Sequence, residues 1–426
     1  MTEIVIMAGG KGTRSGNQNI PKALQHVGEK TIIEMQLENI ADWCSADIRI
    51  IGGHHGDKLK QHLIQIKEKY PNLNFEYYYD KEQKGTLPAL LSIIQEIQAK
   101  KFALLLGDLV INLNWLNFLD KLNEPQVEGL VVTHPNKHPE DSDLIIQSSR
   151  DQSLTFLSKN RLASTSDGNL AVAGIFGFET ELIKNVEFSG LDVTENLLAE
   201  LVKKYKVENY LTVDYIKDAG TPRRMSEINL DLISGFYTNR EPRNRGIIFS
   251  DLDDTLHSNL ETKNSNSIIE FDQKILNGIK KINESGIPFV VVSNQPGISK
   301  GFFSFEDLDL FFRKVQSELN SRGCFIDAWY FCPHHPESGW KMEVKELKIK
   351  CSCRKPNTGL LQKFREFNNF TENKSWMLGN SVSDQDFATN GNLNFKLCAL
   401  EGAVFNPKAT ETSKALEFVW KTMRAS

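Results

Sequence analysis

The sequence predicts an α/β protein built as two successive units, and three observations carry that reading. Short apolar strands alternate with amphipathic helices along the whole 426-residue chain. Several strands run straight into glycines or carboxylates, as in Ala8-Gly9-Gly10, Gly107-Asp108 and Asp251-Leu252-Asp253-Asp254. The alternation breaks once, at the polar stretch Thr238 to Arg245, and then restarts with different motifs. Residues 1–240 and 246–426 are therefore expected to be separate units joined by a short polar linker.

In the first unit, strands are expected at Glu3–Met7, Asp47–Ile51, Phe75–Tyr79, Phe102–Leu106 and Gly129–Thr133. Helices are expected between them at Ile32–Ile40, Asp57–Lys69 and Leu87–Ala99. In the second, strands are expected at Gly246–Ser250, Pro288–Ser293, Ala328–Cys332 and Ser375–Gly379. The net charge of -5 argues against a nucleic-acid-coating surface, and no apolar run reaches the roughly 20 residues that cross a bilayer. The start MTEIVIMAGG lacks the basic opening and apolar run of a secretory signal, so a cytoplasmic protein with no membrane partner is expected. A homo-oligomer stays open.

The first strand ends in Ala8-Gly9-Gly10-Lys11-Gly12-Thr13-Arg14, followed by Pro21-Lys22. Glycines let backbone N–H groups approach a phosphate chain, and Lys11, Arg14 and Lys22 can neutralise it. The spacing fits neither a P-loop nor a dinucleotide fingerprint. Asp108 and Asp218, far apart in sequence, suit a Mg²⁺ site shared with substrate phosphates.

AGGKGTR (8–14), PKAL (21–24), KGT (84–86), LLGD (105–108), AGIFGF (173–178) and KDAGTP (217–222) together resemble the sugar-phosphate nucleotidylyltransferase family. The resemblance implies a nucleotide-binding loop at 8–14, a catalytic Lys22, base contacts at Gly85 and Thr86, Mg²⁺ ligands Asp108 and Asp218, and sugar contacts at Gly174 and Glu195. It implies transfer of a nucleotidyl group from a nucleoside triphosphate to a sugar phosphate, with GTP the leading base. Only six residues separate Arg14 from Pro21, a compact loop that keeps CTP and another sugar or polyol phosphate as the rival.

Asp251 and Asp253 stand at a strand end where one carboxylate can attack phosphorus, its neighbour can handle the proton, and Mg²⁺ can hold the phosphate. Ser293-Asn294, Lys355 and Asn380–Asp384 follow in order, and the set resembles the haloacid-dehalogenase (HAD) superfamily. The resemblance implies Asp251 as nucleophile, Asp253 as acid/base, Ser293, Asn294 and Lys355 around the phosphoryl group, and Asp251, Asp253, Asn380 and Asp384 about Mg²⁺. SNQPGISKGFFSFED (293–307) and CPHHPE…CSCRKP (332–356) narrow it to the histidinol-phosphate and heptose-bisphosphate phosphatases. Arg354 and Lys300 are then expected to meet a second phosphate. Asn380 stands where the superfamily usually has aspartate, which leaves a non-catalytic regulatory module as an alternative.

Cys332-Pro333-His334 and Cys351-Ser352-Cys353 supply three thiolates and an imidazole for a closed, structural Zn²⁺ site, with His335 the alternative imidazole. The two resemblances imply two Rossmann-like three-layer α/β/α units: a nucleotidyltransferase fold, then a HAD-like fold with minimal cap and zinc loop. The expected function is bifunctional, with a sugar bisphosphate such as D-glycero-D-manno-heptose 1,7-bisphosphate losing one phosphate and the remaining sugar phosphate being nucleotidylated.

Overall fold

The fold is that of a computed structural model that describes residues 2–10, 19–164, 167–185, 189–258, 263, 267, 270–401 and 408–425. Strands Glu3–Ala8, Ala46–Gly52, Leu73–Tyr79 and Lys101–Leu106 lie parallel, with Glu3–Ala8 between Ala46–Gly52 and Lys101–Leu106. The sheet continues past Lys101–Leu106 with an antiparallel strand, Leu170–Glu179, against which Gly129–Pro135 also runs antiparallel. The first sheet is thus mixed, and its parallel part carries the glycine-ended strands.

Alternation along the strands builds two cores. Ile4 and Ile6 face one side with Leu37, Leu59 and Leu63, while Val5 and Met7 face the other with Leu87, Leu90 and Ile93. Both faces are covered by helices, which is why the central strand reads as the apolar run Ile4 to Ala8. The helix Ile32–Ala41 begins at a reciprocal cap, Thr31 with Glu34. The helix expected over 57–69 forms as Gly56–Ile66 with a final 3₁₀ turn, Lys67–Lys69. The one expected over 87–99 is shorter, Thr86–Ile93 plus a 3₁₀ turn Ile94–Glu96.

The second sheet is parallel throughout: Ala328–Cys332, Phe289–Asn294, Ile248–Ser250, Trp376–Gly379, Asn394–Ala399 and Thr410–Glu411 in spatial order. It too separates two cores. Ile248, Phe289 and Val291 pack with Ile279, Phe311 and Leu416, and Phe249, Val290 and Val292 pack with Leu360, Phe364 and Phe387.

The polar stretch 238–245 is tied into the fold through its arginines. Arg240 and Arg245 are buried. Arg240 donates to the Val213 carbonyl at 3.0 Å and pairs with fully buried Asp327 at 2.7 Å. Arg245 pairs with Asp214 and donates to the Asn369 carbonyl at 2.8 Å. The reason is charge: Asp214 and Asp327 are buried beside these arginines, and each needs a cation.

Candidate active sites

The parallel strands of the first sheet deliver Gly9-Gly10, Gly53 and Gly107-Asp108 to one edge, the carboxyl ends where open α/β sheets bind ligands. These loops touch. A Cβ on Gly53 would lie 2.7 Å from the Gly9 carbonyl oxygen, and one on Gly107 would lie 2.8 Å from Ala8 Cα. A cleft of about 1130 Å³ opens here, lined among others by Ala8, Gly9, Gly10, Lys22, Asp108 and Asp218. Lys11, Gly12, Thr13 and Arg14 lie outside the described residues.

A two-stranded ribbon brings the distant carboxylates together. Leu109–Asn112 pairs antiparallel with Tyr215–Asp218, with Asp218 opposite Leu109, and the Ala219 N–H donates to the Asp108 carbonyl at 2.8 Å. Lys22 opens a 3₁₀ turn after Pro21 and reaches into the pair. Its ammonium donates to Asp108 Oδ2 and lies 3.7 Å from Asp218 Oδ1. That Asp218 oxygen is buried and accepts no hydrogen bond from the described residues. Beside it Gly220 leaves a gap, since a Cβ there would sit 2.6 Å from Asp218 Oδ1 and 3.0 Å from Lys22 Nζ. Two carboxylates facing an open cleft, one with an unsatisfied oxygen, fit the hard oxygen donors that Mg²⁺ takes.

Gly85 has φ +148°, and a Cβ on it would collide with the Leu191 carbonyl at 2.2 Å. Thr86 begins the following helix and accepts from the Val193 N–H at 2.9 Å, so the proposed base-contact turn is fixed to the 191–193 segment. Gly174, at φ +78°, sits in the register shift between Val172 and Phe176 and also lines the cleft. Glu195 is held back from the cavity: it accepts from Asn160 Nδ2 at 3.1 Å and pairs at 2.9 Å with Lys159, which does line the cleft. Sequence reasoning passed over Lys159, His134 and Arg224, all of which line the cavity. Arg224 had a signal, because two arginines opening a helix oppose its dipole and call for an anion.

In the second sheet Ile248–Ser250 lies between Phe289–Asn294 and Trp376–Gly379, which sets Asp251, Ser293 and Asn380 at one edge. The Asp251 N–H donates to the Leu378 carbonyl at 2.9 Å. Lys355 Nζ lies 2.8 Å from Asp251 Oδ1 and 2.6 Å from Asp384 Oδ1, and donates to the Val292 carbonyl at 2.8 Å. Burial pushes the Asp251 carboxyl up to about 6, against the opposing pull of Lys355. Asp253 accepts from Gln295 Nε2 at 2.8 Å and pairs with buried Lys263 at 3.0 Å. Asn380 Nδ2 donates to the Asp253 carbonyl at 3.2 Å. The buried Oδ1 atoms of Asp251, Asp253 and Asp384 meet lysine ammonium groups, which fits a site built for a cation.

Ser293 is buried and accepts from Gln295 Nε2 at 3.0 Å. Asn294 is tied to the backbone of Lys355, donating to its carbonyl at 3.1 Å and accepting from its N–H at 3.0 Å. Its side chain therefore aims the lysine. Gln295, inside the SNQPGISKGFFSFED motif, touches Asp253 as Lys263 does, and of the two only Lys263 went unread in the sequence.

The four expected zinc ligands converge. Sulfur atoms of Cys332, Cys351 and Cys353 are 3.2 to 3.5 Å apart, and His334 Nδ1 lies 3.5 Å from Cys332 Sγ and 3.3 Å from Cys353 Sγ. Ligands about 2.3 Å from one tetrahedral ion stand roughly 3.7 Å apart, so the cluster fits Zn²⁺ closely. His335 instead meets the Trp340 ring at 5.4 Å, and its Nδ1 accepts from the Glu337 N–H. Arg354 Nη1 donates to the His334 carbonyl at 3.2 Å, and Lys300 lies 4.6 Å from the Trp340 ring centre.

Residues 3–235 match the family model described as Nucleotidyl transferase, and residues 246–399 match Polynucleotide kinase 3 phosphatase. The D-glycero-beta-D-manno-heptose-1,7-bisphosphate 7-phosphatase of Salmonella typhi is 27% identical over 176 residues, 41% of this chain and 90% of that protein. The histidine biosynthesis bifunctional protein HisB of Legionella pneumophila is 30% identical over 151 residues, 35% of this chain and 40% of that protein. The crystal structure of HddC from Yersinia pseudotuberculosis complexed with GMP-PN aligns with 55% of this chain and all of that one, at 17% identity and a TM-score of 0.44. Among the described residues no helix is long and apolar enough to cross a membrane.

Proposed function

The chain belongs to the nucleotidyl transferase family, and we propose that it couples two steps of nucleotide-sugar synthesis, one in each of the units 1–240 and 246–426. The second half, a phosphatase-like unit similar to heptose bisphosphate phosphatases, removes one phosphate from a sugar bisphosphate, with D-glycero-D-manno-heptose 1,7-bisphosphate the leading substrate. The first half transfers a nucleotidyl group, with GTP the leading donor, to the sugar phosphate that remains, in the cytoplasm where nucleoside triphosphates are made. The observation that carries this reading is the pair of separate carboxylate–lysine centres, Asp108–Lys22–Asp218 and Asp251–Lys355–Asp384, each at the carboxyl edge of its own sheet.

In the second half the Asp251 carboxylate attacks phosphorus, the P–O bond to the sugar breaks, and Asp253 protonates the departing oxygen. Asp253 then takes a proton from water, which hydrolyses the aspartyl phosphate and frees orthophosphate. Lys355 and Ser293 offset the charge that grows on the phosphoryl oxygens. In the first half a phosphate oxygen of the sugar phosphate attacks the α-phosphorus of the triphosphate and pyrophosphate leaves, with Lys22 neutralising the approach of two anions. Bound at Asp108 and Asp218, and at Asp251, Asp253, Asn380 and Asp384, Mg²⁺ would supply charge neutralisation and phosphate orientation. Zn²⁺ on Cys332, His334, Cys351 and Cys353 would fix the loop that ends in Arg354 and Lys355.

A ³¹P NMR time course with Mg²⁺, the heptose bisphosphate and each of GTP, CTP, UTP, ATP and dTTP tests the proposal. Orthophosphate, pyrophosphate and a nucleotide diphospho-sugar should appear with GTP. Phosphate without nucleotide-sugar under every base would overturn the transferase assignment for this sugar, and no phosphate would overturn the heptose assignment.

A further inference from the structure

We propose that Arg224 is a phosphate-binding residue of the transfer site, which holds Asp218 in the ligand-free protein and turns to the triphosphate when a divalent cation occupies the carboxylates. This rests on the reading of the first cleft as a Mg²⁺-dependent nucleotidyl-transfer site.

Arg224 lies in the first turn of the helix Pro222–Ser234, where Thr221 Oγ1 accepts from its N–H at 3.2 Å. A cation there faces the positive end of the helix and needs an anion. It has one: Arg224 Nη1 donates to Asp218 Oδ2, and Nη2 lies 3.6 Å from Asp141 Oδ2. Asp218 is therefore gripped from two sides, by Arg224 through one oxygen and by Lys22 near the other, while Lys22 also holds Asp108. Two cations thus stand against the two carboxylates that a divalent ion would use.

Such an ion and these side chains compete for the same oxygens, because like charges at contact distance repel strongly in a partly buried site. Displaced from Asp218, the guanidinium remains at the wall of the cleft, where its planar fork suits a phosphate. The Arg224 side chain is 33% exposed and Asp218 38%, so neither is locked in the core. Gly220 keeps the space beside Asp218 and Lys22 open for the exchange. The triphosphate then brings the negative charge that Arg224 loses when it leaves Asp218.

The test uses the full chain and two probes. Mn²⁺ binding without nucleotide is followed by electron paramagnetic resonance, with Asp218→Asn identifying the transfer-site component, and GTP and pyrophosphate binding are followed by calorimetry. Arg224→Gln should tighten the Asp218-dependent Mn²⁺ component about threefold or more, because a competing cation is gone. The same variant should weaken GTP and pyrophosphate about tenfold, the usual order for a lost charge-assisted hydrogen bond. Arg224→Lys should fall between. A merely structural arginine would weaken metal and nucleotide together. Unchanged or weaker Mn²⁺ binding in Arg224→Gln, or unchanged GTP binding, overturns the role of Arg224 and leaves the transfer-site reading intact. No Asp218-dependent Mn²⁺ and no GTP binding in the unaltered protein overturns the transfer-site reading and this proposal with it.

Discussion

Lys355 Nζ stands 2.8 Å from Asp251 Oδ1 inside a buried cluster that also contains Asp384. One buried ammonium therefore serves two carboxylates, and the shortfall shows in Asp251, whose carboxyl is raised to about 6 by burial. An unfolded aspartate titrates near 3.9, so Asp251 favours folding while protonated and loses that contribution as pH rises through about 6. Above that pH the ionised carboxylate is held against its desolvation.

Mg²⁺ should relieve this penalty. Its stabilising effect on thermal unfolding is expected to be larger near pH 7.5 than near pH 5, because only the ionised carboxylate binds the ion. Asp251→Asn should raise the melting temperature of the metal-free protein near pH 7.5 while abolishing phosphate release. Equal Mg²⁺ shifts at the two pH values would show that Asp251 does not meet the metal.

Removing zinc should silence the second half through position rather than chemistry. Cys353 and Lys355 are two residues apart, and Arg354 between them is bonded to the carbonyl of His334. One equivalent of zinc per chain is expected by elemental analysis, and Cys353→Ala should lose it together with most of the phosphatase turnover. Full turnover in a zinc-free protein would disconnect the loop from Lys355.

Much of both centres is legible in the sequence because it lies at strand ends, where an apolar run stops in a glycine or a carboxylate. Ala328–Cys332 forms over the residues expected of it, and Asp251, Lys355 and Asp384 converge from three distant segments. What pattern reading misses is burial that depends on partners. Thr238 to Arg245 reads as a short polar linker, yet Arg240 and Arg245 are buried against Asp327 and Asp214, residues 87 and 31 positions away. Likewise Lys263 belongs to no motif, and only the folded chain places it and Gln295 on Asp253.

The Arg240–Asp327 pair makes the junction a structural element. Asp327 Oδ2 also accepts from the Phe289 N–H at 2.8 Å, so its charge is anchored at the root of the second sheet. Arg240→Ala would leave that carboxylate buried without its cation, a loss of about 3–5 kcal/mol. Urea unfolding followed by tryptophan fluorescence should show it, and Arg240→Ala with Asp327→Asn together should recover part of the loss. A change within about 0.5 kcal/mol for the single variant would mean the junction carries no load.

Asn380 offers the sharpest test of how the second half holds its metal. Its Nδ2 is committed to the Asp253 carbonyl, which leaves only a neutral Oδ1 for a cation. Asn380→Asp exchanges that donor for a carboxylate next to Asp251 and Asp253. Two effects then oppose each other. The new charge should tighten Mg²⁺ binding, on the order of tenfold, because a hard dication gains more from an anionic oxygen than from an amide. Without Mg²⁺ the same charge should lower the melting temperature, since it adds a carboxylate to a cluster in which Asp251 and Asp384 already share Lys355. Calorimetric Mg²⁺ titration paired with melting curves separates them. Tighter binding with a lower metal-free melting temperature is expected, and unchanged Mg²⁺ affinity would place residue 380 outside the metal's reach.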